Sequence, residues 1–200
     1  MKQDHQPHLR LVLRMLDLAE DLENRPMLHC DAAPTSHINM DDIMALSPEH
    51  RAGLDQALNA IAEAEAGPTK GDLMNAPLID HWRPLRSGAR TIVLWGNVTG
   101  HPLLSRITTT TSPLLAIDVQ AGWARTRSRW YALGRPFAAL EAELAKSMSI
   151  QGPTAGFIQF ALPGYLPLET PDQLPELLAD FIAWVREFDA ADRAAAGREG

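Results

Sequence analysis

A run of arginine and aromatic side chains, GWARTRSRWYALGR at residues 122–135, is the part of the sequence best suited to binding chemistry. The planar guanidinium of arginine holds a phosphate or carboxylate with two hydrogen bonds and stacks on flat rings. If the run is one extended strand, alternate side chains share a face, on which arginines would contact phosphates and rings would stack on bases. The candidate residues for nucleic acid or another polyanion are Arg125, Arg127, Arg129, Trp123, Trp130 and Tyr131.

This run is the centre of a basic segment in an acidic chain. Residues 81–135 contain eight arginines, no lysine and one acid, Asp118, so the segment has a net charge of +7. Since the whole chain has −7, the remainder has −14. Two interpretations stay open: the arginines bind an anionic partner, or they pair with acids of the protein's own helices. Exposed, unpaired arginines are expected for the first and bridged arginines for the second.

The same segment contains the residue types of a small hydrolase. Ser112, His101 and Asp118 could act as nucleophile, base and orienting acid, with Ser128 as a further serine, if they converge within hydrogen-bond reach. No nucleophile-elbow motif surrounds Ser112, and a proline follows it directly. Structural hydrogen bonds explain these residues more simply. We therefore assign no catalytic residue and favour a non-enzymatic protein.

Metal and cofactor motifs are weak. Residues 28–42 contain metal-capable side chains, but their spacing fits no known ligand pattern, and helix capping explains the aspartates equally well. The glycines form neither a P-loop nor a dinucleotide fingerprint, because GNVTG lacks the third glycine and the helix start. We expect no metal and no cofactor.

Composition predicts a globular cytoplasmic protein. The chain has 200 residues, 46% hydrophobic and 22% charged, which is enough for one sizeable core. A single cysteine, Cys30, favours a reducing compartment. The N-terminus does not resemble a signal peptide, and no apolar run approaches the roughly 20 residues of a membrane helix.

Periodicity predicts four helices and a β region. Helical spacing of apolar residues and the flanking Ser, Pro and Gly signals place helices at 8–25, 47–68, 135–148 and 174–188. Runs of β-branched residues predict strands at 90–98 and at 107–118, the second interrupted at Ser112 and Pro113, then a strand and hairpin at 123–133 and a short strand at 154–165.

The predicted fold class is α+β, with a small antiparallel β unit of three to four strands covered by N- and C-terminal helices. The expected organisation is a helical segment at 1–76, the β unit at 77–135, and a helix, short strand and C-terminal helix at 136–200 that pack on the same core.

A motif pattern supports treating the β region as one unit. Gly96, Val98, Gly100, His101 and Pro102 are followed by Thr111 and Ser112, and then by Arg125, Thr126, Ser128, Tyr131, Leu133 and Gly134. The pattern resembles that of uncharacterised bacterial proteins, often alphaproteobacterial and from mobile or prophage-like regions. The resemblance implies a domain of unknown function and no activity. It leaves a protein-interaction or accessory factor of a mobile element, with the contact on acidic helices, as the alternative to polyanion binding.

Overall fold

The computed structural model describes residues 46–87, 91–102, 107–150, 152, 158, 162–168 and 171–196. The predicted helix at 8–25, the metal-capable residues at 28–42 and most of the predicted strand at 154–165 lie outside these ranges. The chain divides into two compact units, with boundaries after Leu58 and after Ile182. The sheet described below belongs entirely to the second unit.

The three helices that were predicted within the described residues are confirmed. Ser47 caps the first of them, because its hydroxyl accepts the backbone N–H of His50 at 3.2 Å. A five-residue helix that we did not predict follows, capped by Thr69. The helices are α1 (Pro48–Ala66), α2 (Lys70–Met74), α3 (Phe137–Ser147) and α4 (Leu174–Ala196).

The predicted small antiparallel unit is wrong, because the strands form one seven-stranded mixed sheet. The α+β class itself holds. The strands are β1 (Leu78–Ser87), β2 (Ile92–Thr99), β3 (Ile107–Thr110), β4 (Leu114–Asp118), β5 (Trp123–Thr126), β6 (Trp130–Leu133) and β7 (Tyr165–Pro167). Their order is β3-β2-β1-β6-β5-β4, with β7 also paired to β1. The pairing of β1 with β6 is parallel, and the other strand pairings are antiparallel.

The two edges of the sheet meet at the break predicted at Ser112 and Pro113. β3 is the edge beside β2, β4 is the edge beside β5, and only residues 111–113 join them. Thr111 donates its N–H to Leu94 O at 2.8 Å, and Arg127 donates its N–H to Pro113 O at 2.8 Å. These bonds attach the connection at residues 111–113 to β2 on one side and to the end of β5 on the other.

The sequence did not predict β1, because a bulge interrupts the alternation of inward and outward side chains along this strand. Asp80 pairs with Asn97 and Arg83 with Trp95, so two residues of β1 lie opposite one residue of β2, Gly96. The first bulged residue, His81, has φ of 52°, a left-handed conformation that non-glycine residues seldom adopt. Beyond the bulge the inward and outward positions exchange, and no single period-two pattern spans the strand.

The core of the second unit lies between the curved sheet and the start of α4. Ile79, Leu94, Val98 and Leu114 from three strands are fully buried, and Leu174 and Leu178 of α4 pack against the same cluster. Trp82 is also in this cluster and donates its indole N–H to Gly134 O at 3.0 Å. The core therefore holds β1, β2 and β6 in place, and through β6 it anchors the β5–β6 hairpin.

Candidate functional site

The arginine-rich run is a tight hairpin and not the single extended strand on which the shared face depends. β5 ends at Thr126 and β6 begins at Trp130, with residues 127–129 between them. Thr126 donates its N–H to Arg129 O at 2.9 Å, and its hydroxyl accepts the N–H of Arg129. Because the chain reverses here, alternate residues do not continue along one face.

Arg125 belongs to the interior of the protein. It is 6% exposed, and one of its terminal nitrogens, Nη2, donates to Glu63 Oε2 at 2.8 Å, while Nη1 donates to its neighbour Thr126 O at 2.6 Å. Its guanidinium carbon lies 5.4 Å from the centre of the Trp130 ring. For Arg125, these contacts agree with the second interpretation of the basic segment, in which the arginines pair with acids of the protein's own helices.

The other two arginines of the run differ from each other. Arg127 is buried at the hairpin tip. Arg129 is half-buried, and within the described part of the chain no carboxylate lies within salt-bridge distance of its guanidinium. The Nε of Arg129 is buried and has no hydrogen-bond partner there. Arg129 is thus a cation without an acidic partner in the part of the chain that the structure describes.

The three aromatic residues of the run are mainly structural. Tyr131 is 4% exposed and lies in the core, and Trp130 is 8% exposed. Trp123 and Trp130 form an edge-to-face pair with ring centres 5.4 Å apart. Since Arg125 lies over the Trp130 ring, a base has little free ring surface on which to stack.

A pocket of about 620 Å³ lies beside the hairpin, and we call it the hairpin pocket. Its volume is in the range of small-molecule sites. Arg125, Ser128, Arg129 and Trp130 form one wall. The opposite wall comes from the end of α1, from α2 and from the residues that follow it: Glu63, Ala66, Gly67, Thr69, Gly71, Asp72, Asn75, Ala76 and Pro77, with Pro102 completing the lining.

Two carboxylates line the hairpin pocket, and sequence analysis assigned neither. Glu63 contacts Arg125 as described. Asp72 forms a capping box with Thr69: its Oδ2 accepts the Thr69 hydroxyl at 2.6 Å and the Thr69 N–H at 2.8 Å. These bonds from Thr69, together with the charge of Arg125, hold the pKa of the Asp72 carboxyl below its usual value. The Thr-x-x-Asp spacing was the available sequence signal for this cap.

Ser112, the nucleophile of the hydrolase hypothesis, has structural hydroxyl contacts. Its Oγ lies 2.8 Å from Ser128 Oγ, donates to Thr126 Oγ1 at 3.0 Å and accepts the Ser128 N–H at 3.2 Å. Among these contacts there is no histidine. The Thr-Ser and Arg-Thr-x-Ser parts of the motif pattern therefore meet in space, where they attach the hairpin tip to the β3–β4 connection.

Replacing Ser112 by alanine should lower the free energy of unfolding by about 1 kcal/mol, because the hydroxyls of Thr126 and Ser128 lose a partner in a part-buried place. Chemical denaturation measures this change. Ser147→Ala is the control, since that hydroxyl is exposed and bonds only the carbonyl of Leu144. Equal stability of the Ser112 variant and wild type would contradict a role in attaching the hairpin.

The described residues contain neither a candidate metal site nor a candidate membrane-spanning helix. No group of three or more metal-capable side chains lies close enough together there to hold an ion. Within the same residues no helix is long and apolar enough to cross a membrane.

Comparison with known proteins gives a family but no activity. No curated protein and no solved structure matches the chain. One family model matches residues 44–200, which include every element described above, and it is described as a family of unknown function. The motif resemblance likewise indicated an uncharacterised domain. The chain therefore belongs to the DUF6634 family of unknown function.

Proposed function

We propose that this protein is a non-enzymatic binding module that takes an anionic group, a phosphate or a carboxylate, in the hairpin pocket. The observation that carries the proposal is Arg129, a half-buried, pocket-lining arginine with no carboxylate partner in the described residues. The two terminal nitrogens of a guanidinium form a fork that matches two oxygens of such a group.

The surroundings of Arg129 support a concave site for a small ligand or for one group of a larger one. The terminal nitrogens of Arg125 already bond Glu63 and Thr126, and Arg127 is buried. A long polyanion needs several open cations along its path. The proposal is therefore limited to binding of a single anionic group. The predicted binding of nucleic acid or another polyanion is tested in parallel.

Arg129→Ala should weaken binding of inorganic phosphate or propionate at least tenfold, since a charge-assisted bidentate contact is worth about 1.5–3 kcal/mol. Titration followed by tryptophan fluorescence and calorimetry at low salt measures the affinity, with Trp130 in the pocket wall as a reporter. Arg86→Ala is the matched control, because Arg86 is an exposed arginine of β1 outside the pocket.

A short single-stranded oligonucleotide is titrated in parallel. Salt-sensitive binding that depends on Arg129 would identify nucleic acid as the source of the anionic group. If wild type binds none of these anions, or if the Arg129 variant binds them as wild type does, the proposal is wrong. The alternative, a protein-interaction or mobile-element accessory factor acting through acidic helices, predicts that outcome.

A further inference from the structure

The charges of the hairpin pocket are mixed, and this bears on the kind of ligand that it selects. The pocket is lined by Arg125 and Arg129 on the hairpin side and by Glu63 and Asp72 on the α1–α2 side. A site for a simple anion gains nothing from carboxylates in its wall, because like charges repel the ligand. The carboxylates therefore need a separate explanation.

One charge pair inside the pocket is internally satisfied. Glu63 Oε2 bonds Arg125 Nη2 at 2.8 Å, and the two opposite charges largely cancel for an incoming ligand. That leaves Arg129 as the cation and Asp72 as the anion that face the pocket. An incoming ligand therefore meets one positive side chain, Arg129, and one negative side chain, Asp72.

Asp72 keeps acceptor capacity toward the pocket. Its Oδ2 is used twice by Thr69, whereas its Oδ1 has no hydrogen-bond partner in the part of the chain that the structure describes. The capping box holds the carboxylate in place, so its direction is set before a ligand arrives. Nearby Asn75 bonds Gly71 O through its amide nitrogen at 3.2 Å, and among the described residues its side-chain carbonyl has no hydrogen-bond partner. Both oxygens are acceptors for a protonated amine.

The pocket walls between these positions are mainly apolar. Ala66, Ala76, Pro77 and Pro102 contribute no side-chain hydrogen-bonding group, and Trp130 presents part of an aromatic ring. A short carbon skeleton fits such walls better than a second charged group does.

We propose, building on the proposed function, that the hairpin pocket recognises a small dipolar ligand of amino-acid chemistry, with its carboxylate on Arg129 and its protonated amine on Asp72. Asp72 is the residue that distinguishes this ligand from a simple anion. Because Asp72 is partly exposed, its contact with the amine is screened by solvent and its contribution is modest.

The test compares three ligands on one carbon skeleton. Propionate has the carboxylate alone, propylamine has the amine alone, and β-alanine has both; alanine is added to vary the separation of the charges. Wild type should bind β-alanine or alanine about three- to fivefold more tightly than propionate, the range of an exposed ion pair. Calorimetry and tryptophan fluorescence measure the four affinities.

Asp72→Asn should remove this preference while leaving propionate binding unchanged or slightly tighter, because one like charge is removed, and Arg129→Ala should weaken propionate and the amino acids alike. Asp172→Asn, which alters an exposed acid outside the pocket, is the control. Circular dichroism verifies that the Asp72 variant keeps its fold despite the altered cap.

Two different failures are distinguishable. Equal affinities of wild type for propionate and both amino acids, or a preference that survives in the Asp72 variant, would overturn the dipolar ligand and leave the anionic site standing. Absence of binding for propionate, phosphate and the amino acids together would remove the proposed function as well.

Discussion

Gly96→Ala is expected to lower the free energy of unfolding by about 3 kcal/mol, the upper part of the range for overpacking a tight interior. Gly96 is the residue opposite the β1 bulge. A Cβ at this position would lie 2.8 Å from Ile79 Cγ1, 2.9 Å from Asp80 O and 3.1 Å from Trp82 Cα. Two of these three neighbours are backbone atoms, which cannot rotate away. The bulge or the β1–β2 pairing must shift to admit the methyl group.

Gly71→Ala is the matched control for this substitution. Gly71 lies in α2, and a Cβ there would meet only Thr69 Oγ1, at an ordinary contact distance of 3.7 Å. Since alanine favours a helix over glycine by up to about 1 kcal/mol, this variant should be equal to wild type or more stable. Thermal and urea unfolding give both values. A Gly96 variant as stable as the Gly71 variant would show that the bulge is not tightly packed.

The elements with a regular period were predictable from the sequence, and those with a broken period were not. α1, α3 and α4 have continuous apolar stripes, and β2 is a simple run of β-branched residues. β1 contains Pro84 and a bulge, so its alternation is interrupted twice. Pro84 has no N–H to donate to the sheet, but its carbonyl accepts the N–H of Leu168, which brings the β7 segment to β1.

The mixed sheet itself could not have been derived from the strand pattern. Strands that are consecutive in the chain are expected to pair as antiparallel hairpins. The parallel pairing of Leu78 with Ala132, in contrast, joins residues more than fifty positions apart. Its determinants are tertiary. Gly134 permits the approach, since a Cβ there would lie 2.6 Å from Asp80 Oδ1, and Arg135 donates its N–H to the same carboxylate oxygen at 2.8 Å. Hydrogen bonds from Arg135 outweigh burial and keep the pKa of Asp80 below its usual value.

For the candidate site, the sequence indicated the correct hairpin but not the roles within it. Residue types alone gave Arg125, Arg127 and Arg129 the same function. The structure gives the first an internal partner, buries the second and leaves the third without a carboxylate partner in the described residues. The difference arises from the chain reversal at residues 127–129 and from α1, which supplies Glu63. Neither feature is encoded in the spacing of the arginines.

Arg51→Ala is expected to destabilise the first unit by about 2 kcal/mol at neutral pH, the scale of charge-assisted hydrogen bonds in a part-buried place. Arg51 of α1 donates Nη2 to Asp189 at 2.7 Å and Nη1 to Asp192 at 3.1 Å, both on α4, and it also pairs with Asp55 on its own helix. The Arg51 side chain is 25% exposed, and the side chains of Asp189 and Asp192 are each 15% exposed. Its removal takes the shared cation from carboxylates of two helices and leaves Asp189 with Arg193 alone. Urea denaturation followed by circular dichroism measures the loss.

Lowering the pH should reduce the difference in stability between wild type and Arg51→Ala. The ion pairs of Arg51 stabilise the protein only while its carboxylate partners are ionised. The pKa of Asp55 is lowered chiefly by its hydrogen bond to Arg51, and that of Asp189 is lowered by Arg51 and Arg193 although burial opposes the shift. Groups whose pKa falls on folding stabilise the native state above their unfolded value, about 3.9 for aspartate, and lose that contribution as the pH falls through the folded value. Wild type should therefore lose more stability than Arg51→Ala does below about pH 4.

Arg193→Ala, which removes an exposed partner of Asp189 alone, should cost only about 0.3–0.5 kcal/mol. Parallel pH profiles for wild type and the Arg51 variant would instead show that the cluster does not connect the two helices.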